Sequence, residues 1–282
     1  MKKILLASAL VLFSGYSYAA QYATASHVVN KQDKHLIWAD EFNTGTKPNP
    51  NDWTYETKFV RNQEDQYYTT SSKNSRIENG NLVIEALKET VPNADYDPNG
   101  TQWHQQRKYA YYTSASLTTA GKHSWIHKRV EVRAKLPQGR GTWPAIWLLG
   151  DNIKTVGWPD CGEIDIMEYV GYNPHFAYST THKSDRNQTL GNSIPGVIQD
   201  DKLEDGFHTY ATEWDDNEVR FYYDGKLYHT QQRNGEAWPF NKPMYLILNL
   251  AIGGGWGGQQ GIDDSIFPQK FLIDYVRVYD LK

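Results

Sequence analysis

With 282 residues the chain has room for one large all-β domain or two smaller ones, so length alone does not choose. Formal net charge is −4, and it becomes −6 if Lys2 and Lys3 are lost with the N-terminal segment, which argues against nucleic-acid or anionic-membrane partners. Ten Trp and twenty Tyr are many for this length, and sugar rings stack their C–H faces on such rings, so a neutral polysaccharide partner is expected.

The N-terminus opens with Met1-Lys2-Lys3, continues with an apolar run from Ile4 to Phe13 and reaches small residues at Ala19 and Ala20. That order predicts a cleaved secretory signal peptide over 1–20, and hence a secreted or periplasmic protein. The apolar run is too short for a permanent membrane anchor. Residues 21–34 read as a polar leader and 35–282 as one domain, for no internal repeat or Pro/Ser-rich linker interrupts it.

Helical periodicity is nearly absent, whereas short alternating runs bounded by Gly, Asn, Asp and Pro recur, as in a β-sandwich or barrel. Leu36 to Phe42 predicts the first strand, and Arg76 to Leu87 a hairpin turning at Asn79-Gly80. Asp95 to Gly100 opens like an EF-hand loop, but Gln106 stands where the twelfth-position Glu is required, so a plain turn is expected. Arg129 to Leu136 alternates as a half-buried strand should. Trp143 and Trp147, four apart around Pro144, are placed to share one strand face, which is either sandwich core or an exposed aromatic surface.

Gly162-Glu163-Ile164-Asp165-Ile166-Met167-Glu168-Tyr169 holds three carboxylates within six residues. Glu163 and Asp165 share a face of a strand, but Glu168, five residues from Glu163, falls on the apolar side of a regular one. A β-bulge at Ile166-Met167 absorbs one residue and returns Glu168 to the charged face. Crowded carboxylates push one another's pKa values apart, so one stays protonated near neutral pH; which one does not follow from the sequence. Two carboxyl groups on one face suit a retaining glycosidase, and a solvated acidic strand is the competing reading.

Cys161 is the only cysteine, so no intrachain disulfide forms. It has no nearby His to activate it and reads as a packed thiol. Farther on, Phe207 to Trp214 and Glu218 to Tyr223 pair around Asp215-Asp216-Asn217, and Asp224-Gly225 turns the chain into Lys226 to Gln231. Met244 to Ile252 is nearly continuous apolar sequence and reads as a central strand; Phe271 to Tyr279 closes the domain. Trp256 sits among Gly253, Gly254, Gly255, Gly257 and Gly258, a segment expected to be too flexible to bury it, which suits a cleft edge. Neither a zinc-protease His pair nor paired Cys-x-x-Cys occurs, so no metal cofactor is expected for catalysis.

Glu-Ile-Asp-Ile-Met-Glu resembles the catalytic signature of glycoside hydrolase family 16 in its bulged, laminarinase-like form. Trp38 to Phe42, Gly141 to Leu149, Glu213-Trp214, Leu248 to Gly254 and Ile273 to Tyr279 resemble further landmarks of that family, in family order, so the resemblance spans about residues 36 to 282. It implies a β-jelly roll of two curved antiparallel sheets with an open cleft. It implies Glu163 as nucleophile, Glu168 as general acid and then base, and Asp165 between them orienting the nucleophile. Trp143, Trp147 and Trp256 are implied as sugar platforms, with Trp103 and Trp214 weaker candidates. His182 is implied near the reacting sugar, and Asn62 in Arg61 to Tyr68 as a ligand of a sugar hydroxyl. A structural Ca²⁺ is implied at Glu41, Gly80 and Asp274, largely through backbone oxygens. The expected function is endo-acting hydrolysis of 1,3- or mixed 1,3-1,4-linked β-glucan by a monomer. A galactan hydrolase of the agarase or carrageenase kind and a non-catalytic glycan-binding protein are the alternatives; all three acids are present, which counts against the last.

Overall fold

The computed structural model describes residues 35–235 and 237–281. The signal-peptide and leader expectations fall on 1–34, outside the described residues. Two antiparallel sheets stack face to face. One orders its strands Lys226–Gln232, Glu218–Tyr223, His208–Trp214, Lys128–Lys135, Gln269–Asp280, Asn81–Ala86 and Ser75–Glu78, with Leu36–Asp40 also pairing to Gln269–Asp280. The other runs Gly196–Gln199, Phe176–His182, Glu163–Tyr169, Thr142–Gly150, Met244–Ile252, Ser116–Thr118 and Thr54–Glu56. This is the all-β jelly-roll sandwich that the sequence predicts. No helix among the described residues is long and apolar enough to cross a membrane.

Alternation explains most of the packing. Val130, Val132 and Ala134 from one sheet meet Ile146, Leu148, Leu246, Leu248 and Leu250 from the other in a single buried core. Asn79 and Gly80 both take positive φ, 53° and 73°, as the tight turn between Glu78 and Asn81 requires. Asp224 and Gly225 do the same at 46° and 75°. Asp97 caps its own turn by accepting from the Asn99 N–H at 2.9 Å, so the EF-like segment is a turn.

The seven-stranded sheet buries one face in the sandwich and turns the other outward. Ala145, Trp147, Leu149, Cys161 and Ile247 form a second, smaller cluster on that outer face. Cys161 is fully buried there, and burial pushes its thiol up to about 11, which keeps it protonated and inert as expected.

Candidate active site

The strand Glu163–Tyr169 departs from regular pairing at the predicted place. Against Thr142–Gly150, Asp165 pairs with Trp147 and Met167 with Ile146, leaving Ile166 unmatched. Against Phe176–His182, Asp165 pairs with Thr180 and Glu168 with Tyr178, so two residues face one. Ile164, Ile166 and Met167 all join the sandwich core. The bulge thus seats two consecutive apolar residues inward and brings Glu168 out beside Glu163 and Asp165.

Two of the three carboxylates accept from indole N–H groups, and the third faces an imidazole. The Trp158 indole N–H donates to Glu163 Oε2 at 3.0 Å, and the Trp143 indole N–H donates to Glu168 Oε1 at 3.1 Å. His182 Nε2 lies 2.9 Å from Asp165 Oδ2 and 3.7 Å from Glu163 Oε1. Donor atoms of Glu163, Asp165 and His182 all fall within 4.8 Å of one another, the kind of group that is able to ligate a metal ion. Here the imidazole itself supplies the opposing group.

Burial dominates the electrostatics. It pushes Glu163 up to about 8, helped by the neighbouring Asp165 charge and opposed by His182 and the Trp158 N–H. It lifts Asp165 to about 7, against a hydrogen bond with Glu163 that lowers it. Glu168 is held well above the ordinary carboxylate range by burial and by the charges of Asp165 and Glu163, with His182 and Trp143 opposing. The cluster therefore carries protons at neutral pH, and Glu168, repelled by both neighbours, is a natural holder of one.

An open cleft of about 1140 Å³ runs over this strand, lined by Asn62, Trp143, Glu163, Glu168, His182 and Trp256 among others. A smaller cavity of about 420 Å³ adjoins it beside Arg61, Trp147 and Trp158. Asn62 is exposed at the rim, with positive φ of 54°, and its side-chain amide donates to Glu64 Oε1 at 3.3 Å. Trp143 and Trp256 meet edge to face at 5.7 Å, and Tyr178 lies 5.3 Å from Trp256.

Two expectations change in detail. Trp147 shares the outer face with Trp143 but is only 7% exposed, donates its N–H to Asn249 Oδ1 at 2.8 Å and lies under the Arg61 guanidinium. It forms cleft floor, not an open platform, because a buried indole must satisfy its N–H and the arginine covers its ring. The glycines around Trp256 are not slack either. Gly254–Gly257 forms a helical turn, and a Cβ on Gly257 would come within 2.8 Å of the Trp143 Cβ. The glycines permit close approach, and Trp256 is partly buried as a result.

Of the weaker candidates, Trp103 lines the cleft, whereas Trp214 is fully buried in the sandwich core. The Ca²⁺ candidates lie away from the cleft, at the other sheet. There Glu41 makes a two-point ion pair with Arg277 (2.7 and 2.9 Å), and Asp274 meets Arg133 Nη1 at 2.5 Å. Both carboxylates are already neutralised, so the side chains do not offer a free cluster of hard oxygens, and only main-chain oxygens or displacement of Arg133 would serve. Trp158 and Tyr178 are missing from the sequence-based site. Trp158 sits in an irregular turn five residues before Glu163, where no periodicity shows its direction; the register pairing of Tyr178 with Glu168 exists only in the folded sheet.

Residues 62–277 match the model of glycosyl hydrolases family 16. A β-glucanase of Rhodothermus marinus is 43% identical over 258 residues, covering 86% of this chain and 84% of that protein. The laminarinase structure from Rhodothermus marinus superposes with a TM-score of 0.79 at 41% identity, covering 88% of this chain and 98% of the other. A non-specific endo-β-1,3(4)-glucanase crystallised with 1,3-β-D-cellotriosyl-glucose superposes with a TM-score of 0.78 at 40% identity, covering 89% and 96%. With three quarters of its length matching the family, this chain belongs to glycosyl hydrolase family 16.

Proposed function

We infer that the protein is a retaining endo-β-glucanase that hydrolyses 1,3- or mixed 1,3-1,4-linked β-glucan. The observation that carries this reading is the bulged strand, which aligns Glu163, Asp165 and Glu168 on the floor of an open cleft that an internal stretch of polymer can cross. Glu168, whose carboxyl burial and the neighbouring Asp165 and Glu163 charges hold well above the ordinary carboxylate range, gives its proton to the leaving glycosidic oxygen while the Glu163 carboxylate attacks the anomeric carbon. The sugar is left as an ester of Glu163. Glu168, now ionised, takes a proton from water, whose oxygen displaces Glu163 and restores the original anomer. Asp165, joined to both Glu163 and His182, takes up the proton that Glu163 must lack when it attacks.

Trp143 and Trp256 form the aromatic wall for the sugar, Asn62 offers an amide to its hydroxyls, and His182 steadies the acids; Trp147 supports from below. A sulfated galactan is less well matched. Among the described residues lining the main cleft are Asp65, Glu163 and Glu168 but no Lys or Arg, so sulfate esters would meet like charge. We propose further that the protein is exported, to the periplasm or the medium, on the strength of its Lys-apolar-Ala N-terminal run. The test is reducing-sugar release from laminarin, lichenan, xyloglucan, agarose and κ-carrageenan, with proton NMR of the first product. Release from laminarin or lichenan with a retained anomer is expected. Release from the galactans alone, or an inverted anomer, overturns the reading.

A further inference from the structure

The segment 94–107 is an irregular loop, yet it is fastened at every turn. At its base Val91–Pro92 pairs with Tyr109–Ala110. The Asn93 side-chain amide donates to the carbonyls of His104 and Arg107 at 2.6 and 2.7 Å, and Lys58 reaches Asp95 at 2.5 Å. Arg107 then crosses to the neighbouring cleft loop, donating to the carbonyl of Glu64 at 2.6 Å and of Gln63 at 3.0 Å, with Asp65 at 3.2 Å. That loop is tied in turn to the glycine-rich turn, where Gly255 N–H donates to the Asn62 carbonyl at 3.0 Å and Asp65 N–H to the Ile252 carbonyl at 2.8 Å. Three loops distant in sequence make one wall.

Trp103 belongs to that wall. The Arg107 guanidinium lies over its ring at 5.1 Å, and Phe59 meets it edge to face at 5.7 Å. The same guanidinium lies 5.2 Å over Phe59, so one cation fixes both rings. Trp103 nevertheless stays partly exposed, and it lines the same cleft as Trp143 and Glu168. An indole pinned by arginine that still lines a sugar-sized groove is pre-organised, so stacking on it costs little side-chain entropy.

We propose that Trp103 is a glycan-stacking platform distal to the carboxylates, added by the 94–107 loop, through which the enzyme selects substrates long enough to reach it. The proposal rests on the β-glucanase reading. It assigns Trp103 to binding and to length preference, with no part in bond cleavage.

The test compares kcat/KM on a β-1,3-linked glucose heptasaccharide and trisaccharide for wild type, Trp103→Ala, Trp103→Leu and Trp103→Phe. The heptasaccharide-to-trisaccharide ratio is expected to fall about ten-fold in the Ala and Leu variants, mostly through KM, and to recover largely in Phe. Trp103→Leu keeps an apolar contact with Phe59, so it guards against an Ala variant that fails to fold. In a Glu163→Gln background, titration calorimetry is expected to show the heptasaccharide binding about ten-fold more weakly when Trp103 is also replaced by Leu. An unchanged ratio, an equal fall on both substrates, or a Phe variant no better than Leu overturns the proposal. Failure of wild type to cleave either oligosaccharide while cleaving another glycan instead refutes the β-glucanase reading.

Discussion

Glu163→Gln is expected to abolish glucan hydrolysis and, at alkaline pH, to stabilise the fold. The reason lies in the crowding of three carboxylates on one bulged strand. In the native protein Glu163 titrates near 8, whereas an unperturbed Glu titrates at 4.5. Between those values the folded state holds a proton that the unfolded state has released. Stability from this group is therefore fully present below about pH 4.5 and is lost as pH rises through 8. At about 1.4 kcal/mol per pKa unit, the full loss would approach about 5 kcal/mol. Because 16% of the Glu163 side chain opens to the cleft, water there screens the charge, and about 2 kcal/mol is a fairer expectation. The glutamine keeps an oxygen to accept from Trp158 but never ionises. Scanning calorimetry from pH 4 to 9 checks this. The two proteins should melt together near pH 4.5, and the variant should melt roughly 4–8 °C higher at pH 9. Equal melting temperatures across the range, or a variant that loses stability relative to wild type as pH rises, would refute the electrostatic argument.

Glu168→Gln should lower kcat on laminarin by about 10²–10⁴-fold, with much of the loss recovered on an aryl glucoside whose leaving group needs no proton; steady-state kinetics on both substrates check it. His182→Ala removes a group that lowers the Glu163 pKa, so the acid limb of the kcat/KM profile should move to higher pH; an unmoved limb rules out that role. Calcium is the remaining proposal carried from the family resemblance. With Asp274 and Glu41 already paired to Arg133 and Arg277, excess EDTA or added Ca²⁺ should change the melting temperature by no more than about 2 °C; a shift of about 10 °C would mean that an ion is tightly bound, through main-chain oxygens or with Arg133 giving way.

Trp143 and Trp147 show where reading by period reaches its limit. Their four-residue spacing does put both on the outer face of one strand, and the structure keeps them there. Whether each ring is open is settled by what lies across from it. Asn249, from a strand a hundred residues away, takes the Trp147 N–H, and Arg61 from a loop covers its ring; Trp143 instead meets Glu168 and Trp256. The glycine-rich turn teaches the same lesson in reverse. Five glycines in six residues read as slack, but their missing side chains let the turn press against Trp143, which is a property of the packed neighbour.

Local chemistry needed no tertiary partner to be legible. Asn79-Gly80 and Asp224-Gly225 specify tight turns because only such residues take positive φ cheaply. Alternation over Lys128–Lys135 specifies a half-buried strand because side chains repeat every second residue. The five-residue offset of Glu168 from Glu163 specifies a bulge, since no regular strand serves both the apolar run and the acids. Those facts are local, and the sequence alone carries them. What only the folded chain decides is which group answers each acid. Trp158 on Glu163, Trp143 on Glu168 and His182 on Asp165 come from three separate segments, and burial, the largest cause of every shift in the cluster, exists only once two sheets and three loops have closed around it.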